Sequence, residues 1–142
     1  MIIKAYEYQK IKKINNKIFL FYGENNGYKN QVIKKIFFDE FKGSIERYEE
    51  SEILNNYDSF VSGLTNKSFF EELKLILISR VTEKIIKLIN EVLVRKINDI
   101  NIVLNADILE KKSKLRAIFE KNKNLVCTAF YKDDNRTLAG FA

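Results

Sequence analysis

The chain has 142 residues, a length that suits one domain with a single compact core. It contains no His, no Pro and a single Cys, Cys127, which excludes histidine-based triads, the common zinc sites and any disulfide within the chain. Its 25 basic and 19 acidic residues give a net charge of +6, which suits an anionic partner such as nucleic acid. No segment concentrates the roughly five to eight charges of a basic patch, so we interpret most of this charge as a solvated, lysine-rich surface.

The apolar runs of the chain are short. The longest, residues 75–78, is far from the roughly 18 residues that span a bilayer, and the N-terminus lacks the apolar core of a signal peptide. We therefore expect a cytoplasmic, reducing location and no membrane partner.

The first elements in chain order are a helical segment, a strand and a helix. Residues 5–13 place apolar side chains on one helical face, and residues 17–22 form a continuous apolar run that predicts a buried strand ended by Gly23. An amphipathic helix is predicted over 28–41, closed by Lys42 and Gly43.

Strands and helices continue to alternate along the rest of the chain. The predicted elements are a weaker strand at 44–48, a helix at 52–64, a buried strand at 73–79, a helix at 83–95, a strand at 100–105, a helix at 111–122 and a last strand at 125–130. Residues 133–142 resemble the first two turns of a further helix, so we expect residues 1–142 to be the first domain of a longer protein.

The predicted strands are apolar throughout rather than alternating, which indicates burial on both faces. Such strands belong to parallel sheets covered by helices on both sides. The sequence therefore predicts an α/β fold, a doubly wound three-layer sandwich with a mostly parallel five-stranded sheet.

The turn after the first strand resembles a P-loop, the phosphate-binding pattern G-x-x-x-x-G-K-[ST]. Gly23 and Lys29 are in register with this pattern, but Tyr28 stands at the second glycine position and Asn30 at the Ser/Thr position, with Gly27 one place early. The turn thus lacks the hydroxyl that binds magnesium. We interpret it as a degenerate P-loop kept for strand-to-helix geometry, with weak phosphate binding as the alternative.

The acidic half of an ATPase site is also missing from the sequence. Residues 75–78 are followed by Ser79 and Arg80, and residues 102–104 are followed by Asn105, Ala106 and Asp107, so that Asp107 is displaced from the strand end. A loop or helix-start role suits Asp107 better than a magnesium ligand. We expect no ATP hydrolysis, no metal site and no cofactor.

A second feature is the aromatic pair in Ser68-Phe69-Phe70, which lies between a predicted helix and the strand at 73–79. Two adjacent Phe side chains do not easily point inward together, and an exposed pair is a typical interface anchor. By residue type alone, the alternative that one of them covers the core under a connecting turn is favoured.

Four segments in this order resemble the N-terminal domain of the bacterial DNA polymerase III delta subunit. They are Phe19-Leu20-Phe21-Tyr22-Gly23, Ser68-Phe69-Phe70 before an apolar strand, Leu115-Arg116-Ala117-Ile118-Phe119-Glu120-Lys121, and Ala129-Phe130-Tyr131-Lys132-Asp133-Asp134. The resemblance covers nearly all of the chain but only one domain of that family, which continues into a helical lid and a helical collar.

The resemblance implies an AAA+-like domain without ATPase activity that binds the sliding clamp and opens its ring during DNA replication, as part of a DNA polymerase complex. Clamp binding would rest on Phe69 and Phe70, preceded by Ser68, with Lys74 supplying the basic residue that follows the pair. Further implied partners are the other clamp-loader subunits, with DNA contacted only through the assembled complex. A nucleotide-binding P-loop protein and a stand-alone nucleic-acid-binding domain are the competing interpretations.

Overall fold

The structure is a computed structural model, and it describes residues 1–14, 17–39, 41, 43–66, 74–96 and 100–131. Its strands are β1 (Ile18–Tyr22), β2 (Ser44–Glu49), β3 (Lys74–Ser79), β4 (Ile100–Asn105) and β5 (Leu125–Ala129). Its α-helices are α1 (Asn26–Ile33), α2 (Glu50–Asn55), α3 (Tyr57–Asn66), α4 (Ile86–Arg95) and α5 (Lys114–Lys121).

The described strands form one five-stranded sheet in the order β2-β3-β4-β1-β5, and every pairing is parallel. In strand β1, Leu20 lies opposite Leu104 of β4 on one side and Cys127 of β5 on the other. The predicted fold class, an α/β sandwich on a mostly parallel five-stranded sheet, is confirmed.

Strand β1 is buried on both faces because its side chains alternate between two apolar layers. Ile18, Leu20 and Tyr22 pack into the layer formed with α2 to α5. Phe19 and Phe21 pack into the opposite layer, formed with α1 and the N-terminal segment. The weaker strand β2 lies at the sheet edge, where its side chains are only partly covered.

The N-terminal segment Ala5–Lys13 is helical, as predicted, but it has 3₁₀ geometry with a non-helical residue at Glu7. The helix that was predicted over 28–41 begins earlier, because the Asn25 side chain caps it, and it ends at Ile33. A π-helical turn, Lys34–Phe38, continues it and sets the Phe37 ring against that of Phe19, with centroids 5.0 Å apart.

Three other predicted helices have different ends. The helix predicted over 52–64 is two helices, α2 and α3, because the backbone leaves helical geometry at Asn56, with φ −133° and ψ 43°. The helix predicted over 111–122 starts at Lys114 because Ser113 caps it. A short 3₁₀ turn, Glu83–Ile85, precedes α4. Residues 133–142, where a further helix was predicted, lie outside the described residues.

None of the helices in the described ranges combines the length and the apolar character needed to cross a membrane.

Candidate functional site

The P-loop-like turn joins β1 to α1 at the carboxyl end of the sheet. Residues Gly23, Glu24 and Asn25 connect the two elements. Because β4 and β5 flank β1, the segments that leave all three strands surround the turn. Parallel α/β sheets bind ligands at this end, so this is where a phosphate site would lie.

Gly23 is held in close contact with the segment that follows β5. Its φ is +124°, and a Cβ atom at this position would lie 2.2 Å from the carbonyl oxygen of Phe130. Its N–H donates a hydrogen bond to the carbonyl of Asp107 at 2.9 Å. Close backbone packing alone therefore requires glycine here.

Backbone N–H groups of the turn are hydrogen-bonded within the protein. Asn25 donates to the carbonyl of Phe130 at 3.2 Å, and Asn26 donates to the carbonyl of Glu24 at 3.0 Å. The N–H of Tyr28 donates to Asn25 Oδ1 at 3.2 Å. In a phosphate cradle such groups point at the ligand instead. The turn is closed on itself, and its geometry favours a structural role.

Lys29 occupies the position of the P-loop lysine but is turned into the protein. Its side chain is only 1% exposed, and Nζ donates to the carbonyl oxygens of Ala106 at 2.7 Å and Gly23 at 3.4 Å. Burial lowers the pKa of this ammonium, an effect that the nearby Asp107 carboxylate partly opposes. Lys29 therefore fastens the turn to the segment after β4.

The other positions of the P-loop pattern have separate surroundings. The buried Tyr28 packs its ring edge-on against Phe130, with centroids 5.4 Å apart, and its hydroxyl donates to the carbonyl of Ala5 at 3.3 Å. A Cβ atom at Gly27 would enter open space, with Asn25 Oδ1 4.0 Å away. The exposed Asn30 accepts a hydrogen bond of 3.4 Å from Asn105 Nδ2. The P-loop pattern thus supplies one buried ammonium, that of Lys29, and exposed side-chain amides such as that of Asn30.

Beside the turn, a cleft of about 700 Å³ opens between the segments that follow β3 and β4. The residues that line it carry both signs of charge. Arg80 and Lys112 are basic, and Glu83, Asp107 and Glu110 are acidic. Asp107, for which the sequence favours a loop role over that of a magnesium ligand, is exposed in this lining. Among the described residues, no group of three or more Cys, Asp or Glu side chains could hold a metal ion. The mixed lining shows no preference for an anion.

No protein-family model matches this chain, and no curated protein sequence matches it. Among solved structures, the chain is similar to PCH-2 of C. elegans, with 14% sequence identity and a TM-score of 0.48. The match covers 87% of this chain and 38% of that chain, so this chain spans well under half the length of PCH-2. A likeness at this identity concerns the fold alone.

The residues predicted to bind a clamp lie partly outside the described ranges. Ser68, Phe69 and Phe70 are among residues 67–73, which join α3 to β3 and are not described. Lys74 is described as the first residue of β3. It is buried, and Nζ forms an ion pair with Glu46 Oε1 at 2.5 Å on the neighbouring strand β2. The Lys74 ammonium is thus held within the domain.

One polar contact at the carboxyl end has no sequence signal. The buried Glu50, the first residue of α2, accepts hydrogen bonds of 2.7 Å from both the backbone N–H and the hydroxyl of Thr82. The two residues are far apart in sequence, and only the pairing of β2 with β3 brings them together. Asn25, by contrast, carries a recognisable signal, since Asn is a favoured N-cap residue.

Proposed function

We propose that this chain is a non-hydrolytic AAA+-like domain of the clamp-loader delta-subunit type. In this proposal the chain binds a sliding clamp through Phe69 and Phe70, helps to open the ring during DNA replication, and assembles with the other clamp-loader subunits. Residues 1–142 form its first domain, and the lid and collar domains of the family follow it.

The observation that carries the non-hydrolytic part is the position of Lys29. Phosphoryl transfer in P-loop enzymes needs this lysine on the phosphates and a bound magnesium ion. Here the ammonium donates to the carbonyls of Ala106 and Gly23, and the N–H groups of Asn25, Asn26 and Tyr28 are hydrogen-bonded within the protein. A domain whose P-loop lysine is held in this way is suited to act by binding a partner, without phosphoryl transfer.

The clamp-binding part is supported by the order of the four segments in the sequence. An aromatic side chain buried in a partner's pocket contributes about 2 kcal/mol or more as an interface anchor. If the pocket is better formed in the opened ring, this energy shifts the clamp towards that conformer. The ion pair of Lys74 with Glu46 fixes the start of β3, four residues after Phe70 in the sequence.

The test is direct binding to a bacterial sliding clamp, measured by surface plasmon resonance with the 142-residue chain. The double variant Phe69→Ala with Phe70→Ala should bind at least about 30-fold more weakly, since each anchor contributes on the order of 2 kcal/mol. The matched control is Tyr6→Ala with Tyr131→Ala, which also removes two aromatic rings, both exposed in this structure.

The control variant should keep its affinity within about threefold, because its rings lie outside the proposed contact. Wild-type affinity in the Phe69/Phe70 variant would show that these residues are not the anchors. Failure of the unmodified chain to bind the clamp would remove the delta-subunit assignment itself.

A further inference from the structure

Lysines from separate parts of the chain gather at the amino end of the sheet, opposite the closed turn. A parallel strand starts at this end, so the segments that lead into strands finish there. The N-terminal segment finishes with Lys12 and Lys13 and enters β1 through Lys17. Lys34 and Lys35 begin the π-helical turn that leads away from α1.

Helix α5 brings a further lysine to the same end, since its last residue, Lys121, lies just before β5, the neighbour of β1. We call these six side chains the amino-end surface: Lys12, Lys13, Lys17, Lys34, Lys35 and Lys121. All six are exposed.

Few described carboxylates offset this charge. Asp39 follows the π-helical turn on the way to β2, the edge strand farthest from β5. Glu120 is within 3.4 Å of Arg116 on its own helix. The carboxyl end differs, because there the cleft lining contains the carboxylates Glu83, Asp107 and Glu110 as well as the basic Arg80 and Lys112. Among the described residues, the net positive charge is therefore greater at the amino end, because carboxylates offset the lysines and the arginine at the carboxyl end.

The spacing of this surface suits a linear array of phosphates. The lysines lie around β1 and β5 and on the helical layers of both faces of the sheet, and because packed layers are about 10 Å apart they spread over about 20 Å. Duplex DNA carries one negative charge per about 1.7 Å, which gives on the order of 12 phosphates in that length. Several lysines could contact phosphates at the same time.

The position of the exposed aromatic rings favours a duplex over a single strand. Single-strand binding relies on bases stacked on exposed aromatic side chains. Among the described residues, the large exposed aromatics are Tyr6 and Tyr131, with 67% and 54% of their surfaces accessible. Both lie towards the carboxyl end. Tyr131 follows β5, and Tyr6 is next to Ala5, whose carbonyl accepts a hydrogen bond from the Tyr28 hydroxyl at the start of α1.

We propose that the amino-end surface binds the phosphate backbone of a nucleic-acid duplex. The contact is made by this domain itself, whereas the sequence assigned DNA only to an assembled complex. Lysine side chains are flexible point charges, so the binding reads charge and spacing rather than base sequence. This inference does not depend on the clamp-binding proposal.

The test is fluorescence anisotropy of a labelled duplex of about 20 base pairs titrated with the 142-residue chain at several salt concentrations. In the amino-end variant, Lys12, Lys13, Lys34 and Lys35 are all changed to Gln. It should bind at least about tenfold more weakly near 100 mM salt, and the slope of log K against log salt should shrink by about 3 to 4.

The matched control changes four exposed lysines at the carboxyl end, Lys84, Lys111, Lys112 and Lys114, to Gln, and so removes the same net charge. It should keep its affinity within about threefold. An equal loss in both variants would overturn the proposal, since net charge alone would explain the binding. Three other results would also overturn the proposal. They are failure of the chain to bind the duplex at low salt, tighter binding of a single strand of equal length, and displacement of the duplex by polyglutamate at equal charge. Clamp affinity of the same variants, measured in parallel, separates a failure here from a failure of the clamp proposal.

Discussion

The P-loop-like turn and the amino-end surface use lysine in opposite ways. At the carboxyl end, Lys29 is buried and donates to the carbonyls of Ala106 and Gly23. At the amino end, side chains such as Lys13 and Lys35 are exposed to solvent. The turn at which parallel α/β sheets bind ligands is closed by the protein's own backbone, and the opposite end carries exposed lysines that few described carboxylates offset.

Under the proposal for the amino-end surface, the fold does not fix where binding takes place. A buried ammonium loses its hydration, and it keeps its charge only through fixed partners such as the carbonyls that hold Lys29. An exposed ammonium keeps its hydration until a ligand arrives. A domain that closes one site can therefore acquire another on the same sheet, because function resides in sites rather than in folds.

The largest effect on the closed end is expected from Gly23→Ala. The new Cβ would meet the Phe130 carbonyl oxygen at 2.2 Å, and a φ of +124° is strained for any residue with a side chain. Strain and overpacking together should lower the free energy of unfolding by about 3 kcal/mol or more, measured by urea denaturation.

Gly63→Ala is the control for Gly23→Ala. Gly63 lies within α3, and a Cβ atom at this position would meet no other atom within 4 Å. It should stabilise the domain by up to about 1 kcal/mol, since alanine favours a helix more than glycine does. Equal, small effects of the two substitutions would mean that the turn is not packed against the segment after β5.

The strands could be predicted from the sequence, since burial on both faces leaves runs that are apolar throughout. β1, β3, β4 and β5 were located in this way to within a residue or two. The helix breaks could not be predicted. Asn56 interrupts a continuous helical pattern, and the π-helical turn at Lys34–Phe38 depends on how Phe37 meets the rings of β1.

The site could be predicted only in part, because its chemistry depends on which strands are neighbours. The register of Gly23 and Lys29 pointed to a P-loop relative, and Tyr28 and Asn30 pointed to its degeneration. The partner of the ammonium, the Ala106 carbonyl, is set by the pairing of β4 with β1, which no local pattern reveals. The amino-end surface escaped a search for charge runs because its lysines come from three separate segments.

A smaller effect, which tests the burial of Lys29, is expected from Lys29→Met. Burial lowers the folded-state pKa of Lys29 below its ordinary value of 10.5, so the unfolded chain binds more protons in the window between these two values. The stability that Lys29 contributes therefore increases as pH rises through this window and is lost as pH falls. Methionine keeps the length of the side chain and removes this titration.

The unfolding free energy of the wild type, relative to Lys29→Met, should therefore rise from neutral to alkaline pH, by up to about 1.4 kcal/mol per pH unit within the window. Lys35→Met, which removes an exposed lysine, is the matched control for the loss of one positive charge. If the wild type and Lys29→Met respond to pH in parallel, the ammonium is not buried in solution.

The smallest expected effect is that of ATP with magnesium on thermal stability, and it decides whether the carboxyl end is closed. A ligand at about 5 mM with a Kd near 50 μM would stabilise the folded state by about 2.7 kcal/mol and raise Tm by several degrees. We expect a change of less than about 1 °C, and the same for Asn30→Thr, which restores the hydroxyl of the P-loop pattern. Restoring one exposed side chain leaves the Lys29 ammonium on its carbonyls and the N–H groups of Asn25 and Asn26 hydrogen-bonded to backbone carbonyls. A clear rise in Tm for either protein would show that the turn opens for a nucleotide, and the competing interpretation as a nucleotide-binding P-loop protein would then replace the one proposed above.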